Sequence, residues 1–201
     1  MHKKAVTDYP IHDHLAHRWS PRAFADRPVI TELLGSLFEA ARWAASCYNE
    51  QPWRFIVARR EQQDEYKTLM SCLMEGNQGW AMSAPVLGLG VAKNTFSLYG
   101  KPNRFFHHDL GLATAGLMAQ ATAHGLHVHA MGGIHPERAV EIYNVPGDFD
   151  VLTGFGIGYL GDPGTLEKDM RASEMEARTQ KPLEETVFSS SWETPAEFLQ
   201  R

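Results

Sequence analysis

The chain has 201 residues, 43% of them apolar and 21% charged, with a formal net charge of −5 and two cysteines. That length and balance suit one soluble domain around a single sizeable core. The acidic balance argues against a general nucleic-acid binder, and Cys47 and Cys72, with no CxxC spacing, give no disulfide framework. The start, Met1-His-Lys-Lys-Ala-Val-Thr-Asp8, lacks the apolar run of a secretory signal, and no segment approaches membrane-spanning length. A cytoplasmic protein that avoids membranes is the expectation.

In chain order, Ile11, Leu15 and Ala16 give a short helix over 10–18, which Pro21 closes off. Ile30, Leu33, Leu34, Leu37, Phe38, Ala41 and Ala44 recur at three- and four-residue spacing and predict an amphipathic helix. It runs into Ala41-Arg-Trp-Ala-Ala-Ser-Cys-Tyr-Asn-Glu-Gln-Pro-Trp-Arg-Phe55, a junction of small residues, Asn, Gln, Pro and two Trp. Such a junction reads either as the cradle of an organic cofactor or as a turn whose Trp residues join the core. Phe55 to Ala58 predicts a strand and 61–75 a helix, which Gly76-Asn-Gln-Gly79 is expected to break. Pro85 to Ala92 is short and apolar throughout, the pattern of an interior strand.

Residues 93–103 have no period and form a candidate lid or substrate loop. The helix over 105–124 is apolar or small all round in its middle, so burial on every side is expected, with Gly111, Ala115 and Gly116 allowing close approach across a subunit interface. Gly125 suits its C-terminal cap. A strand follows over 126–130, then a turn, a short helix over 136–143, a strand over 151–160, and a polar stretch over 165–180 expected to be irregular. Helices and strands without strict alternation argue for an α+β fold.

Several chemical signals are weak. Gly156-Ile-Gly-Tyr-Leu-Gly161 spells the dinucleotide fingerprint, but no helix follows it, so close backbone packing is the better reading. His127 and His129 share a strand face without acidic or thiol neighbours at ligand spacing; solvent-facing histidines, and no metal, are expected. Cys47 has no indicated base and reads as a small packed residue. Arg18, Arg22, Arg178 and Lys181 are each ordinary surface charges in isolation, yet together they suit a phosphate. Asn49, Asn77 and Gln78 supply directional hydrogen bonds for a heterocycle, and Gly132 and Gly133 bare backbone amides.

These parts align with a known pattern. Arg18-Trp-Ser-Pro-Arg-Ala-Phe24, the 41–55 junction, Gly76-Asn-Gln-Gly-Trp80 with Ala84-Pro85, Asp109-Leu-Gly111, Met131-Gly-Gly133, Gly158-Tyr159 and Lys181-Pro-Leu-Glu-Glu185 occur in the order of the FMN-dependent nitroreductase family, which the chain resembles from about Arg18 to Phe188. The resemblance implies a single α+β domain over 1–201: a three-layer sandwich with a mainly antiparallel sheet flanked by helices, in an intertwined homodimer. Residues 93–108 become a variable substrate loop and 181–201 an arm around the second copy.

FMN is the implied cofactor and NAD(P)H the co-substrate, with a ping-pong hydride transfer through flavin N5 to a nitroaromatic, quinone, or activated alkene or aldehyde, and no catalytic side chain. Arg18 is implied at the phosphate, with Arg178 and Lys181 closing on it; Trp19 stands where the family often has Arg or His. Ser20, Arg22, Asn77 and Gln78 are implied at the pyrimidine end, Met131, Gly132 and Gly133 along the ring. Ala45, Ser46, Cys47 and Asn49 would come from the other subunit; Ala45 and Cys47 replace the common Pro and Ser. Phe96, Tyr99, Phe105 and Phe106 are candidate walls for the acceptor. The alternatives are other flavin chemistry within the family, and a flavin-binding protein without turnover.

Overall fold

The computed structural model describes residues 3–199; the last two residues of the expected arm, 200 and 201, lie outside them. The elements run α1 (Asp13–His17), α2 (Thr31–Arg42), β1 (Trp53–Arg59), α3 (Gln63–Met70), α4 (Glu75–Ala81), β2 (Val86–Lys93), α5 (Phe106–Ala123), β3 (Leu126–Met131), α6 (Pro136–Tyr143), β4 (Phe149–Tyr159) and α7 (Lys168–Met175). The four strands form one antiparallel sheet in the order β1-β2-β4-β3.

β2 lies inside that sheet and shows why its sequence is apolar without alternation. Leu87, Leu89 and Val91 enter one core with Trp80, Leu69, Leu73 and Met131. Val86 and Ala92 enter the other, with Leu37, Ala41, Leu110, Leu117 and Phe155. Burial on both faces removes the polar alternation of a half-exposed strand. Helices α3, α4 and α6 therefore cover one face and α2 and α5 the other, the expected three-layer α+β sandwich. No helix among the described residues is long and apolar enough to cross a membrane.

Four expectations are corrected. Gly76 and Gly79 do not break the helical pattern into a loop; they lie inside α4, and the interruption falls earlier, where Met74 takes an extended conformation as the cap before Glu75. Residues 168–175 are helical, not irregular; the sequence has too few apolar positions there to display a period, and the helix is held by the buried Glu174 and the half-buried Met170. Within one chain α5 buries Phe106, Asp109, Leu110, Ala113, Leu117 and Ala121 and leaves Gly111, Leu112 and Ala115 on an open face. Gly116 makes its close approach within the chain, where a Cβ would stand 2.9 Å from the Ala40 carbonyl oxygen of α2. Finally, His127 and His129 are not solvent-facing. They sit beneath Trp19 and Trp80, at ring distances of 5.8 and 4.4 Å respectively.

The glycine-rich run at 156–161 packs as expected: a Cβ on Gly158 would lie 2.6 Å from Pro85 Cδ and 2.9 Å from Phe24 Cδ1. Among the described residues no group of three His, Cys, Asp or Glu is arranged to hold a metal.

Candidate functional site

Three segments far apart in sequence meet on the face covered by α3, α4 and α6. The first is 18–24. It is irregular, so its backbone groups need partners from elsewhere, and several elements supply them. The Arg22 amide donates to both oxygens of Glu174 at 3.0 and 3.1 Å, and the Ala23 amide to Glu174 Oε1 at 3.2 Å. The Phe24 amide donates to Ser83 Oγ at 3.4 Å. The Ala23 carbonyl accepts from the Gly161 amide at 2.9 Å. His129 Nδ1 donates to the Pro21 carbonyl at 2.9 Å; since a carbonyl only accepts, Nδ1 carries the hydrogen.

The second segment is α4. A helix sets residues three apart on one side, so Asn77 and Trp80 are neighbours. Trp80 Nε1 donates to Asn77 Oδ1 at 3.3 Å. Asn77 Nδ2 donates to the carbonyl of Gly133, in the third segment, at 2.9 Å. The Met74 amide reaches the same carbonyl at 3.0 Å. A Cβ on Gly133 would stand 2.6 Å from Asn77 Nδ2, so the glycine permits this approach. Gly132 is exposed, with open space where a Cβ would project.

Positive charge gathers beside the first segment. Arg18 is half-buried and its Nη1 donates to Ser20 Oγ at 3.4 Å. Burial first, and the charge of Arg178 second, hold its guanidinium below the ordinary arginine value. Arg178 Nη1 is fixed by the carbonyls of Lys3 and Ala16, both at 2.9 Å. Among the described residues no carboxylate lies within ion-pair distance of either arginine. Two neighbouring guanidiniums without a counter-ion suit a bound phosphate. Arg178 and Lys181 also line a groove of about 1070 Å³ between 5–15 and 180–199.

Other expected contacts stand apart from this cluster. Trp19 is buried, with Lys3 Nζ 4.9 Å from its ring centre. Gln78 faces away from Asn77 and donates to the Leu73 carbonyl at 2.7 Å. The Met131 side chain is buried in the core beside Ile134 and Leu73, which leaves its main chain as the part able to line a ring.

Ala45, Ser46, Cys47 and Asn49 lie elsewhere. They follow α2, whose neighbours Ala44 and Trp53 pack in the core on the opposite face of the sheet. The Cys47 amide donates to Oδ2 of Asp109, a carboxylate buried at the start of α5, at 3.0 Å. Ser46 Oγ accepts from the Gln51 amide at 3.0 Å. Tyr48, Asn49 and Gln51 all take left-handed backbone conformations, with φ of 53°, 55° and 51°. This turn touches the 93–103 loop: Glu50 Oε1 accepts from the Ser97 amide at 2.8 Å, and the Tyr48 and Phe96 rings lie 6.1 Å apart, edge to face. Tyr99 and Phe105 are exposed, whereas Phe106 is buried in the α2–α5 core. Within the 41–55 junction the two tryptophans divide: Trp53 is core at 7% exposure and Trp43 is open at 76%.

Sequence reasoning missed two residues that organise the site. Glu174 stood in a stretch without periodicity, and nothing local marks it. His129 was visible as a strand histidine, but only the packed structure puts Pro21 and Trp80 on its ring.

Comparison with known proteins agrees with this architecture. A solved structure described as an oxidoreductase containing FMN is 38% identical, covers 92% of this chain and 94% of its own, and superposes with a TM-score of 0.86. A protein of Ralstonia nicotianae that carries the provisional name NADH dehydrogenase/NAD(P)H nitroreductase is 29% identical over 174 residues, 77% of this chain and 86% of that protein. A similarly named protein of Streptomyces coelicolor is 36% identical, but over 74 residues, so that match spans only 36% of its length. A Clostridium difficile nitroreductase family protein, 24% identical over 87% of this chain and 94% of its own, shares the fold at a TM-score of 0.67. The profile of the Nitroreductase family matches residues 15–159, well over half of the sequence, and the chain belongs to that family.

Proposed function

We propose that the protein is an FMN-dependent oxidoreductase that takes reducing equivalents from NAD(P)H and delivers them to a nitroaromatic, a quinone, or an activated alkene or aldehyde. The observation that carries this reading is the half-buried pair Arg18 and Arg178, with no carboxylate partner among the described residues, in a chain that also orders the Asn77 amide against Gly133. The donor set fits FMN: guanidiniums for a phosphate, an Asn amide and bare Gly backbone for the heterocycle. When bound, FMN supplies hydride chemistry at its N5, alternating between donor and acceptor on one face. Ser20 and Arg22 would hold its pyrimidine end, where the Arg22 charge would favour negative charge. Gly132 and Gly133 allow backbone to lie against the ring. No side chain is required as nucleophile; the chain binds, orients and excludes water.

The same reading makes the protein a homodimer. Asn77 and Gly133 are hydrogen-bonded to each other beside Phe24, Trp80 and Met131 on one face of the sheet, whereas Ala45 to Asn49 follow Ala44, which packs on the other, so one copy is not expected to close both halves round a single ring. The open face of α5 and the exposed Trp43, Trp192 and Phe198 give a second copy apolar surface to cover. The arm from Lys181 lies along the N-terminal segment, with the Tyr9 hydroxyl donating to the Phe198 carbonyl at 3.4 Å, and its tip is proposed to reach that second copy.

Purified protein tests this directly. Yellow protein that releases FMN on heating, and that oxidises NADH or NADPH in the presence of menadione or a nitrofuran, is the expected result. Colourless protein that does not rebind FMN overturns the reading. Flavin binding without acceptor-dependent oxidation reduces it to a flavin carrier. Light scattering checks the dimer.

A further inference from the structure

Trp80 and His129 belong to no expected contact with the cofactor, yet Trp80 touches Asn77, which does, and His129 touches Pro21, which lies between the expected contacts Ser20 and Arg22. From one end, the Pro21 carbonyl accepts from His129 Nδ1 at 2.9 Å. The His129 ring lies 4.4 Å from the Trp80 ring. Trp80 Nε1 donates to Asn77 Oδ1 at 3.3 Å, and Asn77 Nδ2 donates to the Gly133 carbonyl at 2.9 Å. This is an unbroken chain of contacts through the 18–24 segment, β3, α4 and the 131–133 turn. Trp80 is 3% exposed, and its other side stacks near Phe24 at 6.5 Å, so the ring has little freedom to leave the chain.

The chemistry of the two ends settles how Asn77 is oriented. An indole N–H only donates and a backbone carbonyl only accepts. Asn77 must therefore turn Oδ1 to Trp80 and Nδ2 to Gly133; a flipped amide would set donor against donor and acceptor against acceptor. The amide keeps one further hydrogen and one further lone pair, in fixed directions, for a ligand that offers an acceptor beside a donor. A free Asn side chain would have to lose rotamer freedom on binding; this one is already ordered.

We infer that Trp80 and His129 are positioning residues for the flavin site: they brace the Arg18–Phe24 segment, the Asn77 amide and the Gly133 turn at one fixed spacing, Trp80 by locking the Asn77 amide and His129 by holding Pro21. The inference rests on the flavin reading of the site. Neither residue touches the ligand in this scheme, and their effect passes through Asn77 and Pro21.

The test is a double-mutant cycle on FMN affinity, read by quenching of FMN fluorescence on titration into protein stripped of flavin. Trp80→Phe keeps an aromatic ring beside Phe24 and His129 and removes the donor with part of the indole volume, and the cycle separates the two because the lost volume acts alike in both backgrounds. It should weaken FMN binding about 5- to 10-fold, the scale of one lost hydrogen bond. In an Asn77→Ala background the same substitution should change affinity less than about twofold, because its route of action is gone. A loss of equal size in both backgrounds assigns Trp80 to general packing and overturns the brace. His129 gives a second arm that does not depend on Trp80→Phe folding. His129→Leu should weaken FMN binding, and His129→Asn, whose amide can stand where Nδ1 stands, should restore most of it. Leu and Asn variants of equal affinity overturn the role of His129. Wild-type protein separates the two levels: if it does not take up FMN at all, the flavin reading falls and the brace with it, whereas wild-type binding with an additive cycle removes only the brace.

Discussion

The 18–24 segment and the 45–51 turn are both irregular, both short and both assigned to the same ring, yet they are built in opposite ways. The first is tied from four sides, by Glu174 of α7, Ser83 after α4, His129 of β3 and Gly161 after β4. The second keeps a strained backbone, with Tyr48 at φ 53° and 90% exposed, and is tied to the rest only by the Asp109 carboxylate and by the 93–103 loop, through Ser97 on Glu50 and Phe96 beside Tyr48. A segment with many external partners holds a geometry by itself. A turn that keeps non-glycine residues left-handed in the open stores strain, and such strain persists where something further constrains it. The contrast fits a site whose first half is complete within one chain and whose second half is finished by assembly.

Four outcomes break or sharpen this contrast, taken from the largest effect to the smallest. Glu174→Ala leaves the Arg22 and Ala23 amides without their acceptor, and should cost about 2–3 kcal/mol of stability in a urea titration. A change below about 0.5 kcal/mol would mean that the segment is held without α7. Arg18→Ala should weaken FMN binding by about 1.5–3 kcal/mol, the scale of a charged hydrogen bond, with little change in the urea midpoint; unchanged affinity would remove Arg18 from the site.

The third outcome concerns pH. Burial, and secondarily the charge of Arg22, holds the His129 imidazole below its ordinary value of 6.5, against the opposing pull of the Pro21 carbonyl. Below that value the unfolded chain takes up a proton that the folded chain resists. Stability is then full above about pH 6.5 and falls as the pH drops, by at most about 1.4 kcal/mol per unit from this group. His129→Asn should flatten that slope between pH 7 and 5.5; an unchanged slope assigns it to other groups. The smallest effect has the opposite sign. Tyr48→Gly relieves a left-handed conformation costing about 1–2 kcal/mol, against roughly 0.5–1 kcal/mol of added chain entropy. Stability of the isolated chain should rise by up to about 1 kcal/mol, and a loss instead would show that the Tyr48–Phe96 contact outweighs the strain.

How far the sequence carried depends on whether the signal is periodic. α2 and β2 were readable because burial repeats along them, in steps of three and four or continuously. α7 was not, since a helix attached by one buried Glu and a half-buried Met170 has no apolar stripe to show. α4 was misread for a related reason: Gly76 and Gly79 lower helix propensity locally, but Trp80 and Ala81 are buried in the core, and tertiary packing outweighs a propensity difference of about 1 kcal/mol per glycine. The motif order from Arg18 to Glu185 named the family without geometry.

The sequence by itself thus determined the fold class and the family, because those follow from pattern and motif order. Only the tertiary structure decided which residues act together. It joined Pro21, Asn77 and Gly133 through His129 and Trp80, and set Ala45 to Asn49 beyond the other face of the sheet. Contacts between residues more than fifty positions apart, as between Asn77 and Gly133, leave no local period in the chain; they exist only once the sheet has brought its strands side by side.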